Sequence, residues 1–114
     1  MMDNTLPTLL EKDFAQLHAG DIYGMLGNYH PDAQVMWLND TVVRGGREIR
    51  SFLEGYVALK PKIVAVVAAR ERNDCILYHS AINLDGTVRG LVGTWVLRDG
   101  LIWRQTSVIV AAPR

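Results

Sequence analysis

The second half of the chain holds four long runs rich in Val and Ile: Lys62 to Arg72, Cys75 to Leu84, Thr87 to Arg98 and Leu101 to Ala112. Two residues separate each run from the next: Asn73-Asp74, Asp85-Gly86 and Asp99-Gly100. Asp-Gly between apolar runs is a strong hairpin signal. The tight turn needs left-handed backbone at both central residues, and its twist then matches that of the strands. The pattern predicts an antiparallel meander of four strands.

The first half reads differently. Leu6, Leu9, Leu10, Phe14 and Leu17 fall on one helical face. Asn4 and Thr5 can cap that helix, Pro7 suits its first turn, and Gly20 ends it. Asp21 can cap a second helix that turns Ile22, Met25, Leu26 and Tyr29 inward. Gly24 and Gly27 weaken it, each by about 1 kcal/mol relative to Ala, and Pro31 is expected to stop it. Gln34 to Asn39 then reads as a strand and Thr41 to Arg44 as a second short one. After Gly45-Gly46 comes the clearest amphipathic pattern, with Ile49, Phe52, Leu53, Tyr56 and Val57 on one stripe and Pro61 as its stop. The order is α-α-β-β-α and then four strands, an α+β class. With 114 residues, no repeat and no linker, a single domain over 1–114 is expected.

Charge and residue counts exclude several functions. Lys plus Arg equals Asp plus Glu at 12 each, so no basic excess argues for nucleic acid. The three His residues have no HxH or HxxxH spacing, and the one cysteine, Cys75, lacks a partner ligand. No metal site and no cofactor motif is expected. A lone cysteine suits a reducing compartment. The longest apolar run, Ile63 to Ala69, is far short of the roughly 20 residues of a membrane span. No secretory signal is seen, so the expected location is cytoplasmic.

Parity along the strands carries a further expectation. A sheet with one wet face should alternate apolar and polar residues. Here Val64, Val66 and Ala68 are apolar, and so are Ile63, Ala65, Val67 and Ala69. Leu91, Trp95 and Leu97 alternate with apolar Val92 and Val96. Both faces want cover. Three helices can cover one, and a second copy of the chain is expected on the other, giving a homodimer through the outer sheet face.

The succession of helix, Ala19-Gly20-Asp21, second helix, Tyr29-x-x-Asp32-Ala33-x-Val35, strand, Arg44-Gly-Gly-Arg-Glu-Ile-Arg-Ser-Phe-Leu53 and Asp-Gly meander resembles the nuclear transport factor 2-like superfamily. Within it, the SnoaL-like and ketosteroid isomerase-like group is the nearest in pattern. The resemblance implies a cystatin-like cone, in which a curved, mostly antiparallel sheet wraps three N-terminal helices around an apolar interior. It also implies that Pro31 turns the chain into the first strand and aims Trp37 inward. That fold hosts isomerases, dehydratases, cyclases, epoxide hydrolases and non-catalytic modules, so the fold does not settle the function.

The ketosteroid isomerase-like pattern places a general-base Asp where this chain has Trp37. It places an acidic donor near Gly93 or Trp95, and a Tyr where this chain has Asp13. None of the three matches, so that arrangement is not expected. SnoaL-like enzymes use an Asp with a His, but parity turns His79 outward if Tyr78, Ser80 and Ile82 face in. His18 is expected to meet the helix dipole as a cation, and His30 to be a solvent-facing turn residue.

Asp13 is the carboxylate candidate for catalysis, with a Tyr hydroxyl and water as the alternative. It lies one position off the apolar centre of the first helix, and the outward, solvated orientation is favoured there. If it points inward, desolvation raises its pKa and makes it a usable acid or base. The expected ligand pocket is Tyr29, Trp37, Leu53, Tyr56, Tyr78 and Trp95, with Trp103, and with Ser80, Gln105 and Ser107 as sparse polar groups. Such a pocket suits a small hydrophobic molecule. The expected function is therefore small apolar-ligand binding. The alternatives are a SnoaL-like isomerase, cyclase, dehydratase or hydrolase on a hydrophobic ring substrate, and an assembly module with a filled cone.

Overall fold

The computed structural model describes residues 6–38 and 41–113. The elements are α1 (Thr8–Ala19), α2 (Ile22–Leu26), β1 (Tyr29–Trp37), β2 (Val42–Arg44), α3 (Gly45–Ala58), β3 (Lys62–Arg72), β4 (Cys75–Leu84), β5 (Thr87–Arg98) and β6 (Leu101–Val110). Asn4 and Thr5, expected to cap α1, lie outside the described residues, as do Asn39 and Asp40. Gly20 ends α1 in the left-handed conformation (φ 70°), donating its N–H to the carbonyls of Gln16 and Leu17. The Asp21 carboxylate caps α2 by accepting the Gly24 N–H at 2.9 Å.

The four-strand meander forms as the turn chemistry dictates. All six turn residues, Asn73, Asp74, Asp85, Gly86, Asp99 and Gly100, have φ between 51° and 84°. Strand order is β2-β1-β6-β5-β4-β3. Every pairing is antiparallel except β1 beside β6, which is parallel. The first strand of the chain therefore closes onto the last. The fold is α+β, with a curved six-stranded sheet and three helices. Leu10, Val35, Ile49, Leu53, Ile76 and Ile102, all essentially inaccessible, mark the core between helices and sheet.

Three local expectations are corrected. The second helix has only five residues, and Pro31 does not stop it. The helix ends at Gly27, Tyr29 already pairs with Ile102, and Pro31 lies inside β1. It sits where the β1–β6 ladder shifts register, between Tyr29 and Gln34, so its missing N–H breaks no regular rung. Strict parity along β3 also fails. Register shifts between Ile63 and Ala65 and between Val66 and Ala68 are bulges that curve the strand. They leave Val64 and Val67 half exposed. The third correction is Trp103, described with the site.

Candidate functional site

Two spaces lie between the helices and the concave sheet face. The deeper is a chamber of about 20 Å³. Asp13, Tyr29, Trp37, Leu53, Tyr56, Tyr78, Trp95 and Gln105 line it, together with apolar residues of α1, α2, α3 and β5. The shallower is a mouth of about 580 Å³, bounded by Trp37, Val43, Phe52, Tyr56, Leu59, Leu84 and Ile109. Trp37, Phe52 and Tyr56 border both. Their ring centroids are 5.6–6.0 Å apart, so this cluster forms the partition between mouth and chamber.

The favoured orientation of Asp13 is corrected. Its carboxyl is buried inside the cone, not in water. Burial raises its pKa from the ordinary 3.8 to about 6, against the opposing effect of a hydrogen bond from Asn28. The Asn28 amide donates to Asp13 Oδ1 at 3.2 Å and to Gln16 Oε1 at 2.7 Å. Burial likewise pushes the Tyr29, Tyr56 and Tyr78 hydroxyls above their usual range, and the nearby Asp13 charge adds to each. These phenols stay protonated while Asp13 titrates near neutrality. Tyr29 donates its hydroxyl proton to Gln105 Oε1 at 2.7 Å.

Of the ten expected pocket residues, seven line the chamber and three border neither space. Trp103 borders neither space, and the Arg98 and Arg104 guanidiniums lie over its ring at 4.4 and 3.8 Å from the centroid. The cause is a bulge. Arg104 pairs with Val96 and Ile102 with Leu97, so Trp103 is the extra residue, and a one-residue slip reverses the face. Ser80 is on the inner face and fully buried but does not border the chamber, and its hydroxyl has no hydrogen-bond partner. Ser107 accepts a long hydrogen bond from Gln105 Nε2 at 3.4 Å and borders a groove with Met36, Leu38 and Val42.

The histidines are also placed. His79 pairs with Val92 and Ala68, on the sheet face opposite Tyr78 and Ser80. His18 does not act as a helix-end cation. Its Nε2 accepts the Ile63 N–H at 2.9 Å, and the ring ties α1 to β3. His30 is not a solvent-facing turn residue. It lies in β1 with its side chain 14% exposed, accepting the Asp32 N–H at Nδ1. No group of three His, Cys, Asp or Glu side chains comes together among the described residues. No helix among them is long and apolar enough to cross a membrane.

Sequence reasoning missed Asn28 and Phe52. Asn28 is 1% exposed and holds the Asp13 carboxyl. Its only signal was an amide placed between Gly27 and an aromatic strand start. Phe52 was legible as an apolar helix position, but its role in the partition was not. Trp37 Nε1, Trp95 Nε1 and Asn28 Oδ1 are buried and make no hydrogen bond within the protein.

No family model and no curated relative matches the chain. Many solved structures do. An NTF2-like protein of unknown function from Cytophaga hutchinsonii superposes with a TM-score of 0.76 at 16% identity, covering 95% of this chain and 94% of the other. A SnoaL-like protein of unknown function from Burkholderia thailandensis gives 0.77 at 10% identity, over 90% and 92% of the two chains. A protein with a ketosteroid isomerase-like fold from Catenulispora acidiphila, in complex with trimethylamine, gives 0.78 at 11% identity, over 90% and 85%. Likeness at such low identity establishes the fold.

Proposed function

We propose that this chain, which has the nuclear transport factor 2-like fold shared by SnoaL-like and ketosteroid isomerase-like proteins, binds a small, largely apolar ring molecule in its cone. One observation carries the reading. The mouth, about 580 Å³, has the size of small-ligand sites and an aromatic and aliphatic wall with few polar groups. The Catenulispora acidiphila protein, in its complex with trimethylamine, is an instance of this fold holding a small molecule. Titration with naphthalene-sized ring compounds, followed by the intrinsic fluorescence of Trp37 and Trp95, should give saturable binding. No saturable change with any of them would end this reading.

A second reading is favoured by the burial of Asp13. Here the cone is an enzyme site of the SnoaL-like type, with Asp13 as acid or base. A carboxyl with a pKa of about 6 is present in both protonation states near neutrality. The chamber beside it has room for about one water molecule. The wild-type chain and Asp13→Asn would be incubated with epoxide, ketone and alcohol derivatives of two-ring and three-ring compounds. Turnover lost in the variant, with affinity for the parent ring retained, supports the enzyme. Full turnover in the variant removes Asp13 from the chemistry.

The exposed apolar residues of the outer sheet face, among them Val64, Val67, Leu77 and Val96, support a homodimer through that face in either reading.

A further inference from the structure

The walls of the cone are selective in charge. Among the described residues, Asp13 is the one carboxyl lining the chamber, and Glu48 is the one lining the mouth. No Lys, Arg or His among the described residues lines either space. Cations that approach aromatic rings elsewhere do so away from these spaces: Arg98 and Arg104 stack on Trp103, and Arg50 lies over Tyr23. An anion in the cone would meet two carboxyls and no compensating charge. A neutral molecule would leave the ionised Asp13 unpaired in a low-dielectric site.

The rest of the lining points the same way. Tyr29, Tyr78 and Trp95 ring the chamber, and Trp37, Phe52 and Tyr56 separate it from the mouth. Aromatic faces carry negative quadrupole charge and attract a desolvated cation within about 6 Å of the ring centroid. A carboxylate at the end of an aromatic funnel is a complementary environment for an alkylated ammonium group. It also suits the apolar groups such an ion carries.

Resting on the small-molecule reading above, we propose that the ligand is an organic ammonium. Its apolar ring lies in the mouth against Phe52, Leu59 and Ile109, and its protonated nitrogen lies at the Trp37–Tyr56 partition, facing Asp13. The chamber is too small to take an alkylated nitrogen without movement of that partition. Trp37 is the side chain that can give way. It is only half buried, and its buried indole N–H makes no hydrogen bond within the protein that would resist rotation.

Three probes of similar size and different charge test this. N,N-dimethylbenzylamine is a cation, isobutylbenzene is its carbon isostere, and phenylacetate is an anion. Binding is read by tryptophan fluorescence at about pH 8, where Asp13 is ionised and the amine protonated. The amine should bind about tenfold more tightly than isobutylbenzene, with phenylacetate the weakest. Asp13→Asn should remove the advantage of the amine over isobutylbenzene. Isobutylbenzene binding as tightly as the amine, or phenylacetate binding best, overturns the ammonium ligand and leaves the apolar-ligand reading standing. No binding of any probe overturns both. If Asp13→Asn does not fold, the ranking on the unmodified chain decides.

Discussion

Asp13 is a carboxyl whose charged form the fold disfavours. Its folded pKa, about 6, lies above the ordinary 3.8. For an acid whose pKa is raised on folding, the folded state binds the proton more tightly. The contribution to stability is present below the unfolded pKa and is lost as pH rises through the folded one. About two pKa units at roughly 1.4 kcal/mol each place this loss on the order of 3 kcal/mol, between about pH 4 and pH 6. Asp13→Asn lacks that loss. Urea unfolding at about pH 4 and pH 8 should therefore show the variant gaining on the wild type by 2–3 kcal/mol at the higher pH, as an order of magnitude. Parallel pH profiles would place the carboxyl in water. Gly93 is the second decisive residue. It pairs directly with Tyr78, and a Cβ there would come within 2.6 Å of the Tyr78 ring. Tyr78 is 4% exposed and packs edge-on against Phe14 and Trp95, so it cannot retreat freely. Gly93→Ala should cost about 1–3 kcal/mol and change the near-ultraviolet dichroism of the Tyr78–Trp95 pair. An unchanged unfolding midpoint would mean that the ring is not held there.

At the scale of elements, α3 sets the mouth. It presents Phe52 and Tyr56 to the space and leaves Gly55 between them as a gap. A Cβ at Gly55 would meet nothing within 4 Å. Gly55→Leu should thus have two effects that an ordinary surface change would not combine. It should stabilise the helix by about 1 kcal/mol through backbone propensity, and it should fill the mouth and weaken ligand binding. A more stable variant with full affinity would move the ligand elsewhere. The same scale shows where periodicity was a sufficient guide. The boundaries of β3, β4 and β5 follow from the turn residues, since Asp-Gly and Asn-Asp pairs adopt left-handed backbone at little cost and fix the register on both sides. The start of β1 was not legible. A Pro after a weak helix reads as a stop signal, but the partner that draws Tyr29 into a strand is Ile102, seventy-three residues away. The face of Trp103 was not legible either, because a bulge leaves no mark in an alternating pattern.

At the scale of the whole molecule, the outer face of the sheet is exposed and apolar. Met36, Val64, Val67, Leu77, Val88 and Val96 are each at least 37% exposed, and near-zero net charge offers little repulsion between copies. Sedimentation at tens of micromolar should show a dimer. Leu77→Glu, on the outer face opposite Thr94, should shift it to monomer with the fold intact. A wild-type chain that sediments as a monomer at all concentrations would leave the face without a second copy.

The sequence by itself determined the class, the element order and the meander, because turn chemistry and apolar period are local properties of neighbouring residues. Alternation holds wherever the ladder is regular and carries Trp37, Tyr78, Trp95 and Gln105 to the chamber, whereas Tyr29, read as a helix residue, reaches it from β1. Tertiary structure alone decided the rest. Asp13 faces the cone, where the Asn28 amide, placed beside it at the close of α2, donates to its carboxyl. Whether the cone was hollow depended on three rings from β1 and α3 meeting at 5.6–6.0 Å and dividing one interior into a wide mouth and a chamber of about 20 Å³. Burial and cavity shape arise from contacts between distant segments, and no local pattern encodes them.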